Sequence, residues 1–319
     1  MSYVPVNDRT RRPVVQVWKV FEASTGPLMD ADLADGKTSV AQLLRESTQI
    51  LKSSSQSARL DAELLLAHAL GWDRSRLYGD GDSEVRGEVA EHFLSLIEER
   101  RAGRPVAQML GSREFWSIKL SVTPDTLVPR PETELLVECC LNLLDADRPA
   151  RVLELGTGTG AIAIALATER PQLKIVATDF SEPALAVARY NAASYGLERI
   201  DFRFGDWLSP VADEQFDLIV SNPPYVPDQE WMLRKYELGY EPSIALRGGR
   251  DGLMAITRIV EAAPEYLVPG GWLAIEHGFR QGPAAARLFG EAGLESITTY
   301  RDLPGRPRVT EGRVPEPAD

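Results

Sequence analysis

ELGTGTGAIAIALA, residues 154–167, joins the end of an apolar run, RVLEL, to an apolar helical stretch through a glycine-rich turn. Gly156, Gly158 and Gly160 let the backbone turn sharply and approach a ligand, and the helix that follows offers unpaired N–H groups at its start. Any one of these glycines could simply cap or turn the chain. Three of them between a strand and a helix suit a nucleotide-like cofactor. Gly156, Gly158 and Ala161 also satisfy the dinucleotide fingerprint, so the turn alone leaves a nicotinamide cofactor open.

Outward from this turn, strand and helix signals alternate. RVLELG, LKIVATD, RIDFRFGD, FDLIVSN and GWLAIEHG are short β-type runs, separated by helical stretches such as AIAIALATERP and PALAVARYNAASYG. That alternation predicts an α/β fold with a mostly parallel sheet flanked by helices. LESITTY and RPRVTEGR can supply its last strands. Upstream, TSVAQLLRESTQIL, ARLDAELLLAHAL and GEVAEHFLSLIEERRAG carry helical spacing and suggest a small bundle over about residues 38–103. REFWSIKLSVT then alternates apolar and polar residues, as a β-hairpin does. PRPETELLVECC opens a helix with Pro131 in the first turn and Glu132 and Glu134 at its positive end. Those carboxylates either complement the helix dipole or face a site at the domain junction.

Composition narrows the classes. A chain of 319 residues with 44% hydrophobic content can build one large core and a second, smaller one. A formal net charge of −12 argues against gripping long nucleic acid through a broad basic surface. Cys139 and Cys140 are adjacent and are the only cysteines, which supports neither a disulfide framework nor a metal site; they read as small apolar helix residues. No metal is expected. The first twenty residues lack an apolar signal-peptide region and no run reaches membrane-spanning length, so a cytoplasmic protein without membrane contact is expected. Residues 1–37 show no sustained period and read as a poorly ordered extension.

Three further strand ends carry candidate chemistry. Asp179, about twenty residues beyond the glycines, is placed to accept from both hydroxyls of a ribose. Asp206 and Trp207, in GDW, can accept from an adenine amino group and stack on its ring. VSNPPYVP, residues 220–227, ends an apolar strand with an amide, two prolines and an aromatic ring, so that Asn222 and Tyr225 stand on a stiffened loop.

Taken together, ELGTGTG, Asp179, GDW and NPPY resemble the class I S-adenosylmethionine-dependent methyltransferases that modify a planar nitrogen. In that group, NPPY is shared by adenine- or cytosine-methylating enzymes and by protein glutamine methyltransferases. LVPRPETE at 127–134, EPSIALRGGRDGL at 241–253 and DLPGRPRVTEGR at 302–313 are similar to the peptide chain release factor glutamine methyltransferase family, as are ARLDAELLLAHALG and REFWS. The likeness runs from about residue 38 to the end; Thr159 stands where Ser is common.

The resemblance implies a Rossmann-like methyltransferase domain with a seven-stranded sheet over residues 131–319, a β-hairpin linker at 113–130 and a helical substrate-recognition domain at 38–112. It implies S-adenosyl-L-methionine as cofactor, held by Glu154, Gly156, Thr157, Gly158, Thr159, Gly160, Asp179, Asp206, Trp207 and Asn222, with S-adenosyl-L-homocysteine as product. Class 1 release factors are the implied protein partner, their GGQ glutamine bound by Asn222, Pro223, Pro224 and Tyr225. An amide nitrogen is a weak nucleophile because its lone pair is delocalised. Asn222 and the Pro223 carbonyl, accepting from the substrate NH2, would orient it, and Tyr225 would pack on the amide plane. Readings kept alongside are glutamine methylation of a ribosomal large-subunit protein, adenine methylation of nucleic acid, a nicotinamide-dependent oxidoreductase, and a scaffold without activity. No direct nucleic-acid substrate is expected.

Overall fold

In RVLEL, Val152 and Leu153 point to opposite faces of a strand, and both are fully buried, as is Leu155. A strand apolar on both faces needs cover on both, which is the condition of a parallel sheet between helical layers. The computed structural model describes residues 38–317, so the extension expected over 1–37 lies outside the described residues.

The N-terminal region contains β1 (Thr38–Ser39), α1 (Val40–Leu51), α2 (Ala58–Leu70), α3 (Arg76–Gly79), β2 (Glu84–Val85), α4 (Gly87–Arg101) and α5 (Val106–Leu110). Ser39 caps α1 by accepting from the Gln42 N–H. Val40, Leu43, Leu44 and Leu51 of α1, Leu65 and Leu66 of α2, and Phe93 and Ile97 of α4 form the core of this bundle. The antiparallel pairing of β1 with β2 is not legible in the sequence, because two-residue strands have no period.

A hairpin follows, β3 (Ser112–Phe115) and β4 (Ile118–Ser121). Its two turn residues, Trp116 and Ser117, both have positive φ, 52° and 58°, which suits the twist of a two-residue turn but is uncommon for side chains larger than glycine. Tertiary contacts hold Trp116 there. The Trp116 N–H donates to Glu134 Oε1 at 2.9 Å and its indole N–H to Glu169 Oε1 at 2.8 Å.

The remaining elements are α6 (Glu134–Leu143), β5 (Arg151–Leu155), α7 (Ala161–Glu169), β6 (Lys174–Asp179), α8 (Glu182–Ala193), β7 (Asp201–Phe204), β8 (Phe216–Ser221), α9 (Asp228–Leu233), α10 (Lys235–Leu238), α11 (Met254–Ala262), β9 (Leu267–Glu276), α12 (Gly282–Glu291), β10 (Glu295–Arg301) and β11 (Pro307–Arg313). They build a seven-stranded sheet in the order β10-β11-β9-β8-β5-β6-β7. Only β11 runs against the others. One face is covered by α6 and α7, with Cys139 and Cys140 buried in that layer, and the other by α11 and α12. Burial pushes the Cys139 thiol up to about 12 and raises that of Cys140, so both stay neutral and serve as packing residues. Because β5 pairs with β6 on one side and β8 on the other, the chain reverses its direction across the sheet at β5. The crevice that such a reversal opens lies beyond the strand ends that carry ELGTGTG and NPPY.

The hairpin is bound to this sheet domain through Asn191 of α8. Its side chain accepts from the Ser121 N–H at 2.8 Å and donates to the Ser121 and Thr159 carbonyls at 3.1 and 2.9 Å. Tyr195 adds a second clasp, accepting from the Lys119 N–H and donating to its carbonyl, both at 2.9 Å. Replacing Asn191 by Ala leaves buried backbone groups of the hairpin and the glycine turn unpaired. It should lower stability to urea by about 1–3 kcal/mol and speed amide exchange in β3 and β4; unchanged exchange would mean that the hairpin is held elsewhere.

Candidate active site

The glycine turn is fixed from below and open above. Gly156 and Thr157 donate their N–H groups to the Thr178 carbonyl at the end of β6, at 2.9 and 3.0 Å. Glu154, buried beneath the turn, accepts from the Thr157 hydroxyl at 2.7 Å and the Ala163 N–H at 3.1 Å. Thr157 and Thr159 are buried too, so these three residues shape the turn from inside. Gly160, at φ +81°, packs so close to Ala188 that a Cβ would meet that residue's methyl at 3.3 Å. Gly158, at φ +54°, has nothing within 4 Å of the place a Cβ would take, and this is the open side of the turn.

Asp179 borders that opening. Its Oδ2 accepts from the Gly158 N–H at 2.8 Å and its Oδ1 from the Ser181 N–H at 2.9 Å, and each oxygen retains a lone pair for a ligand. Trp207 holds a positive φ of 52°, and its ring edge lies 3.6 Å from where a Gly156 Cβ would stand. The Asp206 carboxylate is engaged by both terminal nitrogens of Arg258, at 3.1 and 2.5 Å, a partner from α11 that sequence reasoning did not single out. A carboxylate beside open backbone and an indole wall against the first glycine fit a ribose-and-purine group.

At the end of β8, the NPPY loop is braced by backbone on one side and by side chains on the other. The Val226 N–H donates to the Leu246 carbonyl at 2.8 Å, and the Gly248 N–H to the Val226 carbonyl at 2.9 Å. A Cβ on Gly248 would fall 2.7 Å from the Pro224 carbonyl, and one on Gly252, where φ is +80°, 2.2 Å from that of Tyr225. RGGRDG is therefore a segment whose backbone must touch the loop. Gln281 completes the brace, donating to the Tyr225 carbonyl at 3.0 Å and to that of Asp251 at 3.1 Å.

The side chains of the loop point into one buried group. Asn222 Nδ2 donates to Thr133 Oγ1 at 3.1 Å, and the Tyr225 hydroxyl donates to Glu276 Oε1 at 3.1 Å. Thr133 belongs to the 3-10 turn Pro131–Thr133 before α6. Just upstream, Glu241 accepts from the Val128 N–H at 2.8 Å and pairs with Arg130, tying LVPR to EPSIA. Of the two carboxylates read ambiguously in PRPETE, Glu134 holds the hairpin turn, while Glu132 acts on Glu276 through its charge. Thr133, Glu276 and Gln281 were not named by sequence reasoning. PETE and AIEHG flank features that were, but nothing in their spacing says that they meet NPPY.

Similarity to known proteins agrees with this constellation. Residues 42–111 match the PrmC N-terminal domain and residues 131–235 the methyltransferase small domain. The release factor glutamine methyltransferase of Xylella fastidiosa strain 9a5c is 48% identical over 81% of this chain and 94% of its own. That of Escherichia coli K12 is 43% identical over 85% of this chain and 97% of its own. The chain belongs to the release factor glutamine methyltransferase family. Among solved structures, the hMettl16 catalytic domain in complex with MAT2A 3'UTR hairpin 1 covers 65% of this chain and 80% of its own with a TM-score of 0.51 and 14% identity, a likeness of fold alone. Among the described residues, no helix is long and apolar enough to cross a membrane.

Glu154 and Glu276 carry the most deeply buried carboxyls at the site of this member of the glutamine methyltransferase family. Burial pushes Glu154 up to about 8, against the pull of its Thr157 and Ala163 hydrogen bonds. It pushes Glu276 up to about 7, against Thr133, Tyr225 and Arg308. His277 is also buried and held below its usual range. With its ring between the Thr310 hydroxyl and the Gly278 carbonyl, it is a packing residue. Because the folded protein holds protons on Glu154 and Glu276 more tightly than the unfolded chain, the stability they contribute is fully present below about 4.5 and is lost as pH rises through about 7 to 8. Denaturation of the ligand-free protein should show stability falling across that window, with a shallower slope in Glu154→Gln; a slope unchanged by that substitution would place the effect elsewhere.

Proposed function

We propose that this protein transfers the methyl group of S-adenosyl-L-methionine to the side-chain amide nitrogen, N(5), of the glutamine in the GGQ motif of class 1 peptide chain release factors, releasing S-adenosyl-L-homocysteine. The observation that carries this reading is the donation of Asn222 Nδ2 to Thr133, which leaves Oδ1 as the free end of the amide. A free acceptor on Asn222, with the Pro223 carbonyl next along the chain, suits a substrate that brings two N–H groups in one plane.

The cofactor supplies an electrophilic methyl on a sulfonium, which departs as a neutral thioether and needs no acid. Gly156, Gly158 and Gly160 bring backbone to it, Asp179 takes the ribose hydroxyls, and Asp206 and Trp207 hold the adenine, with Glu154, Thr157 and Thr159 keeping the turn in shape. Asn222 Oδ1 and the Pro223 carbonyl accept the two amide protons and favour positive charge growing on the nitrogen. Tyr225 lies along the amide plane, and Pro224 keeps the loop from drifting. Alignment carries most of the acceleration, since near-attack positioning is worth roughly 7–11 kcal/mol in favourable cases. After transfer, the N-methylated amide loses its extra proton to water, so no histidine base is required. The helical region over 38–112 and the hairpin linker at 113–130 serve to hold the release factor against the domain at 131–319.

Incubation with labelled S-adenosyl-L-methionine and a mixture of release factors, ribosomal proteins and unmethylated DNA tests the substrate. One methyl on the glutamine of a GGQ peptide is expected; label on adenine or on another protein alone would overturn the assignment. Asn222→Ala should slow single-turnover transfer by about 10²–10³-fold with little change in cofactor affinity. Asp179→Ala should instead weaken cofactor binding in calorimetry, and unchanged affinity would mean that the ribose is held by other groups.

A further inference from the structure

A carboxamide has two ends of nearly equal shape, and only one of them helps a substrate NH2. With Oδ1 outward, Asn222 accepts; turned by half a rotation, it would set its own NH2 against that of the substrate. Something must choose between the two. Nδ2 donates to Thr133 Oγ1 at 3.1 Å, but a hydroxyl can donate as readily as it accepts, so Thr133 by itself would suit either orientation. The choice is made if the Thr133 proton is claimed elsewhere.

Glu276 is placed to claim it. The residue is fully buried at the end of β9, and its Oε1 takes the Tyr225 hydroxyl at 3.1 Å. Oε2 is buried without a hydrogen-bond partner, a costly condition for a carboxyl oxygen. The Thr133 hydroxyl favours the ionised carboxyl, and a donor is what the unpaired Oε2 lacks. We propose that Glu276 and Thr133 are positioning residues that fix which end of the Asn222 amide faces the substrate nitrogen. The order of donation runs from Asn222 to Thr133 to Glu276, and from Tyr225 to the same carboxyl, so one buried acceptor sets both side chains of the loop.

This inference rests on the glutamine-methylation reading and adds a pH dependence to it. The groups facing Glu276 are Tyr225 from the loop, Thr133 and Glu132 from the 3-10 turn, and Arg308 from β11, which is itself paired with Asp302 at 3.1 Å. Arg130 acts on Tyr225 by charge, and the neighbouring His277 is turned to Thr310 and Gly278. Arg308 favours the ionised carboxyl, while Glu132 and burial oppose it. Orientation needs the ionised form, so the transfer rate should fall as pH drops through about 7.

The test is single-turnover methylation of a GGQ release factor at saturating cofactor and substrate, followed against pH, with calorimetry for cofactor affinity. Thr133→Val keeps the shape but removes the hydroxyl, and Glu276→Gln replaces an acceptor by a donor. Both should be slower by about 10²-fold with unchanged cofactor affinity. Thr133→Ser should recover most of the loss, and Glu276→Gln should lose the acid limb of the wild-type profile. The inference is overturned if Thr133→Val transfers at the wild-type rate, if Thr133→Ser is as slow as Thr133→Val, or if Glu276→Gln keeps the acid limb. Thr133→Val decides the matter even if Glu276→Gln is too unstable to purify. Asn222→Ala separates the two levels: a wild-type rate there removes the amide clamp itself, whereas a loss there with none in Thr133→Val removes only the orienting role.

Discussion

Parallel pairing of β5 with β6 on one side and β8 on the other brings three strand ends to one edge of the sheet. The glycine turn after β5, Asp179 at the end of β6 and Asn222 beyond β8 become neighbours only through that strand order. Local hydrogen bonds then fix their distances. The Thr178 carbonyl holds the turn, Asp179 holds Gly158, and Ser221 donates to the Leu155 carbonyl at 2.8 Å, joining the base of NPPY to the base of the turn. A shift of either neighbouring strand by one residue would turn that strand's own side chains to the opposite face and take its group out of this cluster.

Rigidity at the site is obtained by placing backbone against backbone, and the glycines of RGGRDG make that approach possible. Side-chain polarity is handled differently. Glu154 and Glu276 are carried into the interior at a cost in desolvation, and the hydrogen bonds they receive offset only part of it, which is why both titrate far above their ordinary range. Such groups hold shape well because their few partners have no substitute in the surrounding core. Glu154 sets the form of the glycine turn, and Glu276 receives the hydroxyl of the loop tyrosine.

Specific contacts tie the N-terminal helices and the hairpin to the sheet domain. Asn191 and Tyr195 receive the hairpin, Glu134 and Glu169 hold its turn, and Gln108 of α5 donates to the Tyr240 carbonyl at 2.9 Å. Because Asn191 also holds the Thr159 carbonyl, the hairpin and the glycine turn share one side chain. Movement of the helical region relative to the sheet would therefore be felt at the turn.

The sequence by itself determined the alternating α/β plan, the helical bundle before it, the hairpin, and the motifs at four strand ends. Each rests on a local rule: the period of apolar residues, the backbone freedom of glycine, or the stiffness of proline. Strand order, the two-residue pairing of β1 with β2, and the partners of NPPY were not legible, since they depend on contacts between residues far apart in the chain. Asn222 and Thr133 are separated by 89 positions, Tyr225 and Glu276 by 51. Asp206 was legible as a strand-end carboxylate, but not as the partner of Arg258, 52 residues on. Composition and period report which face of an element is apolar; they carry no record of which polar group a folded neighbour will present. Only the tertiary structure decided that, because a buried donor or acceptor must be paired by whatever the fold brings beside it.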